Sequence, residues 1–361
     1  MNILVTGANG QLAQCLKRIV DLNFNGKPGH YVGEKNYYIF KTKEELPIGD
    51  LEAVRKVVKE EFINVIVNCA AYTDVNKAQV EGKELAELVN VVGTKNLAKV
   101  AAEVGAVLIH ISTDYVFSAL NKANTPLPPV DFNEDGHLEH KPDYLHVELE
   151  DNAYGYTKLW GEKVILDSGC RYIIIRTSWL YSWFGKNFVK TMYNKLMNQE
   201  EIKVVYDQVG SPTSAHELAM FIYHIIENHG PETRYLCKEG IYNFVENGVA
   251  SWYDIVEQIL QHLITVHECD LHYARVSPCL SSEFPQPVKR PNYSVLDNSL
   301  TQSTFDYKIH YWAESLYHVV DKLFYDDVST TDKNEKIEEM LNDAQKALEK
   351  EISEYKNMYQ K

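Results

Sequence analysis

Tyr154 and Lys158 stand four residues apart in the segment Tyr154-Gly155-Tyr156-Thr157-Lys158. On a helix that spacing puts both side chains on one face, so phenol and ammonium can enter one site while Tyr156 points elsewhere. An ordinary phenol has a pKa of about 10, and a neighbouring ammonium stabilises its phenolate, making the tyrosine a usable proton carrier closer to neutrality. The pattern Y-x-x-x-K is common by chance, and a plain surface pair explains it when it stands alone. A second segment, Ile111-Ser112-Thr113-Asp114-Tyr115-Val116-Phe117, offers the Thr113 hydroxyl to polarise a carbonyl together with Tyr154. Capping of a helix or turn by Ser112, Thr113 or Asp114 is the plainer use of the same residues.

A third segment, Thr6-Gly7-Ala8-Asn9-Gly10-Gln11-Leu12-Ala13, follows an apolar run and opens a helical pattern. Glycines at a strand-to-helix turn let the backbone approach a pyrophosphate, whose charge is favoured by exposed N–H groups and the helix dipole. The spacing is G-x-x-G-x-x-A rather than G-x-G-x-x-G, and Ala13 is small enough for close helix packing. NAD-binding sheets usually end their second strand on an acidic residue for the ribose 2′-hydroxyl. Here that strand ends Phe40-Lys41-Thr42-Lys43, and a cation at Lys41 suits a 2′-phosphate. NADPH is therefore the expected cofactor, with NADH the alternative if Lys41 and Lys43 are merely solvated and Glu44 or Glu45 serves the ribose. Asp50 and Leu51 either hold the adenine or, in the case of Asp50, cap the helix that follows.

The elements that must position these residues alternate along the chain: apolar runs at 3–6, 37–41, 65–68 and 107–111, with helical patterns at 11–22, 51–61 and 84–103 between them. Such alternation means βαβ units, right-handed crossovers and a doubly wound parallel sheet, whose carboxyl ends hold the ligand. The third segment sits at one such end and Thr113 at another. A Pro-, Asp- and His-rich stretch at 121–150 precedes a helix over 154–166 and the strand Tyr172-Ile173-Ile174-Ile175. Beyond Trp179 the pattern turns irregular, with helices at 188–197, 215–227 and 252–263. The expected division is a dinucleotide-binding domain over 1–178 with a contribution from about 205–230, a smaller α/β substrate-binding domain over 179–328, and an amphipathic tail over 329–361.

The 361 residues are 45% hydrophobic and 24% charged, as in an ordinary folded chain. Lys and Arg total 36 against 51 for Asp and Glu, a net charge of −15 that opposes binding to nucleic acid. No apolar run reaches the ~18 residues of a membrane span, and no charged segment precedes Ile3, so a cytoplasmic protein without a membrane partner is expected. The six cysteines are scattered without a C-x-x-C pair and read as reduced structural thiols.

Taken in this order, with Val67-Asn68-Cys69-Ala70-Ala71-Tyr72-Thr73 between them, the three segments resemble the extended short-chain dehydrogenase/reductase superfamily. Within it the chain is similar to the dTDP-4-dehydrorhamnose reductase family. The segments that carry the match are STDYVF at 112–117, YGYTKLWGE at 154–162, RTSWLY at 176–181, NFVKTM at 187–192, VYDQVGSPT at 205–213 and KRPNYSVL at 289–296. The resemblance, over about residues 1–325, implies a Rossmann fold and hydride transfer from NADPH to C4 of a nucleotide-linked 4-keto-6-deoxy-L-hexose, giving dTDP-L-rhamnose for surface polysaccharide. It implies Tyr154 as proton donor, Lys158 on the nicotinamide ribose lowering the tyrosine pKa, and Thr113 on the C4 carbonyl. Gly7, Gly10, Gln11, Leu12, Ala70, Ala71, Tyr72 and Thr73 would line the cofactor, with Asp114 and Trp179 against the sugar and Lys289 and Arg290 on its diphosphate. The superfamily's dehydratases carry Asp-Glu after the threonine, where this chain has Asp114-Tyr115, so net reduction is expected. A related branch contains non-catalytic regulatory subunits of methionine adenosyltransferase, but the intact Thr113, Tyr154 and Lys158 favour an enzyme. Reduction from the other face would give 6-deoxy-L-talose. Metal binding by His137, Glu139, His140, Asp143 and His146 lacks a recognised ligand spacing, and a lid is the preferred reading of that loop. The tail either pairs two chains in a homodimer or packs on its own domain.

Overall fold

Alternate residues of each central strand serve opposite faces of one sheet. Ile3 and Val5, Val65 and Val67, Ile109, and Ile173 and Ile175 pack into one buried cluster, while Leu4, Ile66, Leu108 and Ile174 pack into another. Burial on both faces is what a parallel sheet requires. The strands are β1 (Asn2–Thr6), β2 (Tyr37–Lys41), β3 (Val65–Asn68), β4 (Val107–Thr113), β5 (Arg171–Thr177) and β6 (Gly240–Asn243). They form a six-stranded sheet in the order β2-β1-β3-β4-β5-β6, parallel throughout. The direction of winding reverses between β1 and β3, which opens a crevice at their carboxyl ends.

Helices α1 (Gln11–Phe24), α2 (Leu51–Glu60), α3 (Thr94–Val104) and α4 (Ala153–Leu166) flank the sheet, followed by α5 (Phe188–Asn198), α6 (Ala215–Glu227), α7 (Trp252–His267) and α8 (Trp312–Thr330). α1 and α6 cover the first face; α2, α3 and the end of α4 cover the second. Buried side chains surround α4 on all sides, from Ala153 to Ile165, so it is a core helix as well as the carrier of the Tyr/Lys pair. A third cluster joins α5, α7, α8 and the parallel strands Glu201–Val205 and Arg275–Cys279. The sheet takes α6 and β6 from the later half of the chain, past residue 205.

The computed structural model describes residues 1–24, 36–120, 152–228, 235–267 and 273–330. The 121–150 loop with its histidines, most of the 23–36 insertion and the tail after 330 lie outside them. The single helix expected over 84–103 is instead Lys83–Glu87, a π-helical turn Leu88–Gly93, and α3. The wider turn seats Asn90, which donates to Thr157 Oγ1 at 3.0 Å and pairs with both backbone groups of Tyr72. The five described cysteines are free, no group of three or more potential metal ligands occurs among the described residues, and no described helix is long and apolar enough to cross a membrane.

Candidate active site

The turn after β1 is held by the Gly10 amide donating to Gly7 O at 2.8 Å and by the Ala8 amide donating to Lys41 O at 3.1 Å. Gly7 has φ 66°, and a Cβ there would lie 2.8 Å from the Ala70 backbone, so the residue must be glycine on both counts. The first-turn N–H groups of α1 have no partner within the helix, and that turn holds no acidic residue. They open on a cleft of about 550 Å³ lined by Gly10, Gln11 and Leu12 from this turn, Ala71 and Thr73 after β3, and Thr113, Tyr154 and Lys158. Gly7 and Ala70 form its frame rather than its lining, and Tyr72 packs against the buried cluster around α4 that includes Ala78, Val91, Tyr154 and Trp160.

Lys41 ends β2 beside Thr6, its register partner on β1. Glu45 accepts from the Thr42 amide at 2.8 Å, which holds its carboxyl below the usual range, and Glu44 lies beside Lys43 at 3.7 Å. Asp50 caps α2 by accepting from the Glu52 and Ala53 amides, and Leu51 packs into the adjoining core. The capping alternative thus describes the Asp50 side chain.

At the end of β4, Thr113 and Tyr154 face the cleft together with Lys158. Tyr156 turns away and meets Trp160 edge-on, with ring centroids 5.9 Å apart. Thr113 gives its one hydroxyl proton to Asp114 Oδ1 at 2.8 Å, and its oxygen accepts from the Tyr115 amide at 3.4 Å. Lys158 Nζ donates to Ile111 O at 2.7 Å and lies 3.3 Å from His110 Nε2. Burial lowers its pKa to about 8, against the opposing field of Glu162. Glu162 is itself held by two bonds from Arg176 and one from Ser112. The expected lowering of the Tyr154 pKa by Lys158 is not seen, since Lys158 is not among the groups that shift it. Burial raises the phenol above its ordinary value against a smaller lowering by Thr113, with Asp114 and Tyr115 adding to the rise.

A second cavity of about 560 Å³ adjoins the first and shares Asp114 and Trp179 with it. Trp179 has φ 49°, an outlier for so bulky a residue, and stacks on Trp252 with centroids 3.6 Å apart and planes at 8°. Trp252 is anchored through its indole N–H to Gln208 at 3.0 Å and touches Phe188. Arg290 lines the same cavity and donates to Tyr115 at 2.9 Å and Asn76 at 3.0 Å; Lys289 is exposed and lines neither cavity. Ser294 donates to Asp114 Oδ2 at 2.5 Å, so the late Lys289–Leu296 segment closes directly over the Thr113 segment. Sequence reasoning missed Trp252, Gln208, Ser294 and His110, which enter through tertiary contacts and carry no local spacing signal.

The family described as RmlD substrate binding domain matches residues 1–325. A dTDP-4-dehydrorhamnose reductase of Escherichia coli K12 is 31% identical over 331 residues, 90% of this chain and 98% of that protein. A crystal structure of a dTDP-4-dehydrorhamnose reductase from Clostridium acetobutylicum has a TM-score of 0.69 at 38% identity, covering 90% of this chain and 99% of that one. A Bacillus anthracis dTDP-4-dehydrorhamnose reductase, solved in complex with NADP, has a TM-score of 0.68 at 31% identity, covering 89% and 99%. With its sheet order, its Gly-rich turn and its Thr113, Tyr154 and Lys158 gathered in one cleft, the chain belongs to the RmlD family, among relatives that are dTDP-4-dehydrorhamnose reductases.

Proposed function

We propose that this chain reduces the C4 ketone of dTDP-4-dehydro-β-L-rhamnose (dTDP-4-dehydro-6-deoxy-L-mannose) to dTDP-L-rhamnose with NADPH. The observation that carries the reading is the meeting of Thr113, Tyr154 and Lys158 at the carboxyl end of β4, in a cleft that opens on the N-terminus of α1. The residues present fit the cofactor: a Cβ-free turn at Gly7, first-turn N–H groups of α1 that have no partner within the helix and no acidic residue in their turn, and Lys41 at the end of β2 where Glu45 is already engaged. NADPH, when bound, supplies the hydride.

Gly10, Gln11 and Leu12 would meet its pyrophosphate, Lys41 its 2′-phosphate, Ala71 and Thr73 its middle, and Lys158 its nicotinamide ribose. Gly7 and Ala70 set the approach of that turn. Tyr154 holds its phenolic proton through burial and gives it to the new alkoxide. Thr113, beside Tyr154, would polarise the C4 carbonyl, and Asp114 and Trp179 would bound the sugar. Arg290 is placed for the diphosphate, with Lys289 at its outer edge. Tyr115 accepts from Arg290 and packs edge-on to Tyr154 with centroids 5.4 Å apart, so the position after Asp114 offers no second carboxylate for an elimination. Residues 1–178, with 205–230, would carry the cofactor and 179–328 the sugar nucleotide. Soluble co-substrates of this kind place the activity in the cytoplasm.

The test supplies dTDP-4-keto-6-deoxy-L-lyxo-hexose and follows loss of reduced-nicotinamide absorbance with NADPH and NADH separately, with the sugar product identified by NMR. Oxidation of NADPH with L-rhamnose formed is the expected result. A 6-deoxy-L-talose product would replace the stereochemical assignment, and NADPH binding without consumption would sink the proposal.

A further inference from the structure

Behind the cleft a polar row crosses the sheet. Thr6, Asn68 and His110 are register partners on β1, β3 and β4, and all three are buried. Asn68 Oδ1 accepts from the Thr6 hydroxyl at 2.7 Å and from the Ala70 amide at 3.2 Å, an amide it shares with Thr6 Oγ1 at 3.3 Å. A backbone amide can only donate, so the amide group of Asn68 is fixed with Nδ2 toward His110 Nδ1, 3.0 Å away. Nδ1 is thereby an acceptor and carries no proton. Burial holds His110 neutral, its pKa far below the ordinary value, so its one ring proton resides on Nε2. That nitrogen is the one 3.3 Å from Lys158 Nζ. An ammonium has only donors and would meet the Nε2–H head-on, whereas a neutral amine accepts from it and still donates to Ile111 O.

We infer that Asn68 and His110 are positioning residues that set the protonation of Lys158, the Nε2–H of His110 favouring the neutral amine. The row is a polarity device: the Ala70 amide fixes Asn68, Asn68 fixes the imidazole tautomer, and the tautomer selects the state of the lysine. Other titratable groups about Lys158 are Glu162 on α4, which favours the ammonium and is already held by Arg176 of β5; Tyr154 on α4; Asp114 after β4; and Cys69 after β3, a thiol that burial pushes up to about 12. The lowered proton affinity of Lys158 agrees with the row. A lysine so placed exchanges its proton close to neutral pH, which an ordinary lysine does not. The inference concerns the chain's own hydrogen bonds and is independent of which keto-sugar is reduced.

The test is NMR on the full chain without added nucleotide. In 15N-histidine-labelled protein, His110 should show a bare Nδ1 and a protonated Nε2 throughout pH 6–9. A proton on Nδ1, or on both nitrogens at pH 7, overturns the proposal, and this measurement needs no variant. In protein labelled at lysine Cε, the Lys158 titration is followed in two variants that reverse the polarity differently, its signal identified by loss in Lys158→Met. Asn68→Asp accepts from Nδ1 and turns the Nε2 lone pair toward the lysine; His110→Gln can present a carbonyl oxygen to it. Both should raise the Lys158 midpoint by about one unit or more. A midpoint unchanged in the folded variants overturns the proposal, because a merely structural role would leave it in place.

Discussion

Tyr154 is held as a neutral phenol by its surroundings. It is buried, and the nearby Asp114 and Tyr115 oppose its ionisation. This is the protonation a donor to a nascent alkoxide needs before the hydride arrives. Tyr154→Phe removes the only acidic proton on that group while preserving the ring that meets Tyr115 edge-on. The expected outcome is a fall in kcat of about 10²–10⁴-fold, with NADPH affinity by fluorescence titration close to that of the parent chain. Full turnover in the variant would remove Tyr154 from its role. Lys41 carries a different part of the reading, because Asp50 and Glu45 are engaged with backbone amides and do not compete for the adenosine ribose. Lys41→Ala should lower the ratio of kcat/KM for NADPH over NADH by roughly tenfold or more, since a hydrogen bond to a charged group contributes about 1.5–3 kcal/mol; an unchanged ratio would assign the 2′-phosphate elsewhere. Residues whose partners lie three or four positions along one helix were legible from spacing, as Tyr154 and Lys158 show. Ser294 on Asp114, Trp252 on Trp179 and His110 on Lys158 were not, because those contacts span 180, 73 and 48 positions and exist only after the sheet and the smaller cluster have closed.

At the scale of elements, the site depends on two backbones approaching more closely than side chains allow. Between β1 and α1 the Gly7 backbone lies against Ala70, and that contact keeps the turn down over the crevice between β1 and β3. Gly105 offers the natural comparison: its φ is 73°, close to the 66° of Gly7, but a Cβ there would meet nothing within 4 Å. Gly105→Ala should therefore cost only the left-handed strain, about 1–2 kcal/mol. Gly7→Ala adds a collision with backbone that cannot rotate away, and is expected to lower Tm further and to weaken NADPH binding at least tenfold. Equal Tm losses and equal NADPH affinities in the two variants would mean that the turn simply shifts to make room. The sequence revealed the glycine-rich turn and the alternation of strand and helix, since both are local patterns of period and breaker. It did not reveal the π-helical turn at Leu88–Gly93, whose residues have ordinary helical spacing. The cause there is tertiary: Gly93 lies so close to Ile48 that a Cβ would sit 2.6 Å from it, while Asn90 is drawn toward Tyr72 and Thr157.

Across the whole molecule, one buried carboxyl joins the sheet to the smaller cluster. Glu246 follows β6 and is only 1% exposed. It accepts from the Ser214 amide at the start of α6 at 2.7 Å, from the Tyr181 hydroxyl at 3.4 Å, and from Ser315 on α8. No cation balances it among these partners. Burial therefore dominates, and with the field of Glu217 it outweighs the hydrogen bonds and raises the pKa from 4.5 to about 8. The folded chain binds this proton more tightly than the unfolded chain, so the stabilisation is complete below pH 4.5 and is lost as the pH rises through about 8. Each unit of difference is worth about 1.4 kcal/mol, enough for this one group to move Tm by several degrees. Glu246→Gln reproduces the shape of the protonated acid: its carbonyl oxygen can accept from Ser214 and Tyr181, and its amide can donate to Ser315, whose hydroxyl rotates to receive it. The variant should match the parent chain near pH 5, and its Tm should decline less between pH 5.5 and 8.5, leaving it the more stable protein at the alkaline end. Parallel Tm curves across that range would show that Glu246 is ionised in the fold at neutral pH. In that case the joint between sheet and smaller cluster would rest on hydrogen bonds to a charged carboxylate and not on a retained proton.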